Sequence, residues 1–249
     1  MTALDLGRPR ELGEILGDTL RVFRQHAGVF LSLSLALVTP VVLLVDGVWG
    51  RALIDGNDAK APVGSFAVSL LLSSFVLPTL ATALVVRVVQ AIAQGRTPSV
   101  GEAFREAAPS FAPALAVVAM AAIPIAAGSL LVIPGIWLAL RWYFAAQVVV
   151  VEGLRGTAAL RRSVELGRGE LWRVLGVLLT VGIVFGLLAL LVQLPFGAGG
   201  PWLYVAGMAV GQGVALSLIA VAGALLYFDL RARLGQPWAP AVRSLDSPA

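Results

Sequence analysis

Long stretches of this chain carry no charged residue at all: Ala27 to Val45, Ala61 to Val86, Ala107 to Leu140 and Val174 to Phe228. Each is long enough to cross a bilayer, because an α-helix rises about 1.5 Å per residue and a hydrocarbon core of about 30 Å takes roughly 20 residues. The last stretch has room for two crossings, and it breaks between Gln193 and Pro201, where glycine and proline concentrate. The third turns at Ile133-Pro134-Gly135. Barrel strands alternate polar and apolar residues over about ten positions, whereas these runs are apolar on all sides, which excludes a β-barrel. The expected fold is all-α and polytopic, with six transmembrane helices near residues 27–48, 64–91, 111–133, 136–151, 171–194 and 202–228.

Composition points the same way. Apolar residues make up 59% of the chain and charged residues 13%, against about 45–50% and 25% in a soluble domain, so the excess must face lipid. The net charge of +4 does not mark a nucleic-acid binder, because the basic residues sit beside the spans instead of forming one patch. With the amino terminus in the cytoplasm, all but Arg51, Lys60 and Arg141 of the 18 lysines and arginines fall in cytoplasmic segments. The positive-inside rule then selects a cell-membrane protein with both termini cytoplasmic. The leader before the first span is too long, and the apolar run exceeds the usual 7–15 residues, for a signal peptide cleaved near Ala59-Lys60-Ala61. The absence of cysteine rules out a disulfide framework and thiolate chemistry.

Short charged helices lead into three of the spans. From Pro9 to Gln25, Leu12, Ile15, Leu16, Leu20 and Phe23 share one face, with Pro9 suited to the first helical turn. Ser99 and Glu102 have the spacing of a capping box, ahead of Ala103, Phe104 and Ala107. Between Thr157 and Arg168, Leu160 and Val164 face one way and Arg161 is placed to pair with Glu165. Each leader plus the following hairpin forms one unit of an inferred threefold repeat within a single integral membrane domain: 1–93, 94–152 and 153–230, followed by a cytoplasmic tail, 231–249. Gly182 and Gly186 in the fifth span, and Gly207 and Gly211 in the sixth, recur at the spacing that lets helix backbones approach.

Chemistry-bearing residues are few. Arg141 interrupts the fourth span, about 16 Å from Glu152 at helical rise and so near mid-bilayer. A guanidinium at that depth costs about 2.5–3.5 kcal/mol unless it meets protein, water or a lipid phosphate. Two readings stand. Arg141 lines a polar pocket for a lipid headgroup, with Gln147, Gln193 and Gln212 as hydrogen-bonding neighbours, or it snorkels outward past Trp137. Glu152 with Arg155, Arg161 and Arg162 forms either an ion-pair cluster that meets anionic headgroups or ordinary positive-inside charge. Asp229 beside Arg231 and Arg233 reads the same way. Arg141, Glu152, Arg161, Arg162 and Gln212 are thus the candidate polar or headgroup site. His26 is the only histidine, too little for a metal centre, and no nucleophilic triad or phosphate-cradling loop is present. No catalytic residue and no cofactor is expected. Asp46, Glu152 and Asp229 lie near span ends, which weakens a proton-coupled transporter.

The segments from Arg10 to Arg24, Ile133 to Trp137, Arg141 to Gly153 and Ala159 to Gly176 resemble the bacterial multi-pass family named after the membrane domain of glycerophosphoryl diester phosphodiesterases. The resemblance implies a helical membrane module without the phosphodiesterase reaction, since the soluble catalytic barrel of the fused relatives is absent. The expected function is a non-enzymatic scaffold, assembly or lipid-organising module, and the alternative is a transporter or permease for a lipid or amphiphile. Membrane lipids and other membrane proteins are the expected partners, and nucleic acid is not.

Overall fold

The computed structural model describes residues 4–45, 68, 70–197, 200–236 and 238. The chain is an all-α polytopic membrane protein. Among the described residues, six helices are long and apolar enough to cross a membrane: Ala27–Val45, Leu72–Ala93, Val100–Ser129, Ile133–Glu152, Leu171–Phe196 and Trp202–Arg233. Asp46, Arg51 and Lys60, the Ala59-Lys60-Ala61 sequence and most of residues 231–249 lie outside the described residues.

Helix α1 (Leu12–Gln25) buries Ile15, Asp18, Thr19 and Val22 on one face, which is rotated from the expected one. Leu12, Leu16 and Phe23 are half-buried, Leu20 is exposed, and Asp18, expected opposite, is drawn inward by its bonds to Arg10 and Arg21. The helix starts later than expected. Glu11 caps it, and the Glu14 carboxylate accepts from the Glu11 backbone N–H at 2.9 Å. Pro9 therefore precedes the helix, because the backbone N–H of Arg10 is drawn to Asp229 Oδ1 at 2.6 Å. Helix α2 (Ala27–Val42) follows directly, and later in the chain a π-turn (Leu72–Val76) opens α3 (Leu77–Ala93).

Helix α4 (Val100–Ser129) has the expected capping box: Glu102 accepts from the Ser99 N–H at 2.8 Å and Ser99 Oγ from the Glu102 N–H at 3.3 Å. The second leading helix is not a separate element, however. It runs straight into its span through Pro109 and Pro113, which membrane helices tolerate when neighbours compensate for the lost backbone bonds.

The next hairpin turns over Leu130–Val132, with Val132 at φ 58°, and not at Ile133–Gly135. Pro134 falls in the first turn of α5 (Ile133–Trp142), where its missing N–H costs nothing. Gly135 serves close approach: a methyl there would stand 2.5 Å from Ser129 Oγ. The fourth crossing, read from sequence as continuous, breaks at Tyr143–Phe144 and resumes as α6 (Ala145–Glu152).

After the left-handed Gly153, α7 (Gly156–Leu166) turns back along α6 and buries Ala159, Ser163 and Leu166. Leu160 and Val164 are only half-buried, so the packed face is centred on Ser163 instead. Helix α8 (Leu171–Gln193), a short 3-10 turn (Leu194–Phe196) and α9 (Pro201–Arg233) complete the chain. Gly207 and Gly211 do seat neighbours, the side chains of Phe196 and Gln193. Gly182 and Gly186 do not, since a methyl on either would meet nothing within 4 Å. The stripe that α8 buries is Val174, Val177, Val181, Phe185 and Ala189, and those glycines lie off it.

Helix α9 is the axis of the molecule and packs against α8, α2, α3 and α1. Around its second half, Leu218, Val221, Ala224, Leu225 and Phe228 are fully enclosed together with Leu84, Val86, Val88, Phe144 and Val148. Small residues at Ala220, Ala222 and Gly223 let these helices close in. The opposite half is open: Ile183, Leu187, Leu191, Trp202 and Tyr204 are exposed and apolar, suited to acyl chains.

Candidate functional site

The enclosed half ends in charge. Asp229 is completely buried near the end of α9, and its carboxylate accepts from Arg173 at 3.1 Å, from Arg233 at 3.2 Å and from the Arg10 N–H. Of the two arginines that the sequence sets beside Asp229, Arg233 pairs with it one turn on, whereas Arg173 comes from 56 positions earlier and Arg10 from 219. Arg10 is itself 1% exposed and donates to Asp18 at 3.1 Å, while its carbonyl accepts from both Arg173 and Arg233. Asp18 also accepts from Arg21 at 3.0 Å. Removing one member of such a buried set strands the others, so the hub ties α1, α8 and α9 into one geometry.

A second set grips α9 two residues earlier, on roughly the opposite side. Glu152 accepts from Arg162 Nε at 2.8 Å and from Tyr227 Oη at 2.7 Å. Arg162 also reaches Glu165 at 3.4 Å and Gln236. The salt-bridge partner of Glu165 is thus Arg162 and not Arg161, which is exposed. Partial burial pulls the Arg162 pKa down, but its bonds to Glu152 and Glu165 outweigh this and hold it above the ordinary value.

Of the remaining sequence candidates, Arg141 lies with its guanidinium carbon 4.2 Å above the Trp137 ring, one turn back along α5. Its backbone carbonyl accepts from Ser163 Oγ at 2.8 Å, and the same hydroxyl accepts from the Phe144 N–H at 3.2 Å. The hydroxyl of α7 thereby substitutes for the backbone partners lost at the helix break. The glutamines considered as neighbours of Arg141 are dispersed. Gln147 faces Gly223, Gln193 packs on Gly211, and Gln212 lies about 16 Å along α9 from Gly223 at helical rise. Glu152 and Arg162 are therefore brought together, while Arg141, Arg161 and Gln212 stand apart from them.

A feature absent from the sequence reading lies beside the hub. A cleft of about 430 Å³ opens between the N-terminal segment, α1 and the α3–α4 connection. Among the described residues Arg8, Arg10, Arg21 and Arg96 line it together with Asp5 and Asp18, and two of these arginines are also paired outward, Arg8 with Glu14 at 2.9 Å and Arg96 with Glu106 at 3.8 Å. His26, at the start of α2, and Ile92, near the end of α3, set its depth at the ends of two spans. Arg8 is held above its ordinary pKa chiefly by its hydrogen bond to Glu14 at 2.9 Å. Glu14 is held below its own, by the Glu11 N–H first and Arg8 second. The cleft escaped the sequence reading because Leu4 to Arg10 is non-helical and carries no periodic signal.

No family model matches this chain, and neither a curated protein nor a solved structure does.

Proposed function

We propose that the chain is a non-enzymatic, lipid-organising scaffold of the cell membrane, with its arginine-rich end and both termini in the cytoplasm. Membership of the membrane-domain family described above is part of the same proposal. The observation that carries it is the cleft: four arginine guanidinium groups gathered around about 430 Å³ at the level where two spans end, the depth of phospholipid phosphates. Arginine presents paired donors that match phosphate oxygens, and basic residues near an anionic leaflet contribute about 1 kcal/mol each. The enclosed half of the core favours a scaffold over a permease, since α9 is sealed there by apolar side chains from Leu218 to Phe228. Partner membrane proteins would then meet the exposed apolar faces of the other half.

The test is lipid retention. The purified chain in nanodiscs of mixed phosphatidylglycerol and phosphatidylcholine is expected to keep phosphatidylglycerol selectively in native mass spectrometry. Replacing Arg8, Arg21 and Arg96 with glutamine should lower that selectivity by about fivefold per residue. Unchanged selectivity in the triple variant would refute the reading.

A further inference from the structure

A separate cavity of about 210 Å³ lies within the spans, between α3 with its π-turn, α4, the break before α6, and α9. Its polar lining is Ser74, Thr79, Thr82, Tyr143 and Gln147, and among the described residues no charged side chain borders it. Val118, Leu216 and Ile219 supply apolar wall. Along α9 it extends from Gly223 to Leu216, about 9 to 20 Å from Asp229 at helical rise and hence among acyl chains.

Gln147 is the decisive residue. It is 3% exposed, and its carbonyl oxygen Oε1 has no hydrogen-bond partner among the described residues. An unmet amide oxygen in an apolar interior is costly, and such groups ordinarily find a partner. Gly223 lets Tyr143 and Gln147 approach α9 closely, since a methyl there would stand 2.9 Å from Tyr143 Oη and 3.6 Å from Gln147 Nε2. Thr79 has turned its hydroxyl hydrogen to the Phe75 carbonyl at 2.5 Å, so toward the cavity it can only accept. The floor is buried at Gln147, while Ser74 is exposed and marks the side from which the cavity opens.

We propose that this cavity takes the free hydroxyl end of a neutral lipid, with the hydroxyl donating to Gln147 and the chains leaving past Ser74 into the bilayer. The chemistry selects the ligand. A phosphate would meet no cation here and would carry its charge into a low-dielectric site, whereas a hydroxyl both donates and accepts and needs no countercharge. The volume corresponds to about seven water molecules of liquid, enough for a glycerol-sized end and too small for two chains. This site is independent of the arginine cleft, and the proposal stands whether or not that cleft binds anionic lipid.

The experiment uses the full chain in phosphatidylcholine nanodiscs with a dioleoylglycerol probe that carries a diazirine near its free hydroxyl. Labelling is expected on peptides containing Ser74 to Thr82 or Leu216 to Gly223. Unlabelled dioleoylglycerol should displace the probe, whereas trioleoylglycerol, which lacks the hydroxyl, and dioleoylphosphatidylglycerol should not. Gln147→Leu keeps the volume, removes the unmet acceptor and should lower labelling about five- to tenfold, with a thermal midpoint no lower than that of the parent. If that variant fails to fold, competition on the parent chain decides alone. Equal displacement by trioleoylglycerol or by the phospholipid, labelling elsewhere only, or undiminished labelling of a folded Gln147→Leu variant would overturn the proposal, as would a cavity filled by water alone.

Discussion

The two halves of this molecule are held by different forces. At the arginine-rich end, α9 is enclosed on every side, and Asp229, Arg10, Tyr227 and Glu152 lock it by directional bonds to α1, α6, α7 and α8. Toward the other end, α8 buries a single stripe ending in Phe185 and Ala189, and Ile183, Leu187 and Leu191 look outward. Lipid tails are as apolar as leucine, so nothing drives those outward faces together, and only close packing orders them. The lesson is that register is set at one end and inherited by the other.

Substitutions can break this contrast most severely at Asp229. Asp229→Ala should strand Arg173, Arg233 and the Arg10 N–H and cost about 3–5 kcal/mol, read as a large fall in the unfolding midpoint in detergent. Ile183→Ala, on the lipid face, should leave that midpoint unmoved. Ser163→Ala removes the hydroxyl that completes the break at Tyr143–Phe144, and the expected loss is about 1–3 kcal/mol by the same assay. The glycines sharpen the comparison further. Gly211→Ala pushes against the Gln193 side chain and should destabilise by about 1–3 kcal/mol. Gly186→Ala enters open space and should stabilise by up to about 1 kcal/mol, because alanine is the better helix former.

The smallest effect concerns pH. Glu14 has a lowered pKa in the folded chain, owing to the Glu11 N–H and then Arg8. Its contribution is therefore complete above the ordinary carboxyl value of 4.5 and fades as pH falls below it. Unfolding midpoints measured through that range should decline less steeply in Glu14→Gln than in the parent, whereas a substitution in the open half should leave the slope intact.

The contrast also explains what the sequence disclosed. Spans follow from charge-free runs because the bilayer tests length and polarity one helix at a time, so six were legible. The Ser99–Glu102 capping box and the nearness of Arg233 to Asp229 were equally readable, being local. What escaped depends on distant partners. The break at Tyr143–Phe144 has neither proline nor glycine at it and is completed by Ser163. The leading helix before α4 merges with its span because its prolines are tolerated there, and Pro134 marks a helix start and not the turn itself. Glycine spacing identified Gly207 and Gly211 but could not show that Gly182 and Gly186 face outward, since spacing records periodicity and not azimuth. Among the site candidates, Glu152 and Arg162 meet each other, while the arginine cleft and the Gln147 cavity form only when distant segments converge.

The bond between the Arg10 backbone and Asp229 joins residues 219 positions apart. During synthesis the Arg10 segment leaves the ribosome long before its acceptor is made. Until translation passes Asp229, that early stretch has no permanent berth and must wait at the membrane surface. A stall or truncation just upstream of Asp229 would thus leave the nascent Arg10 segment open to proteases and insertion chaperones, however well the earlier helices had inserted.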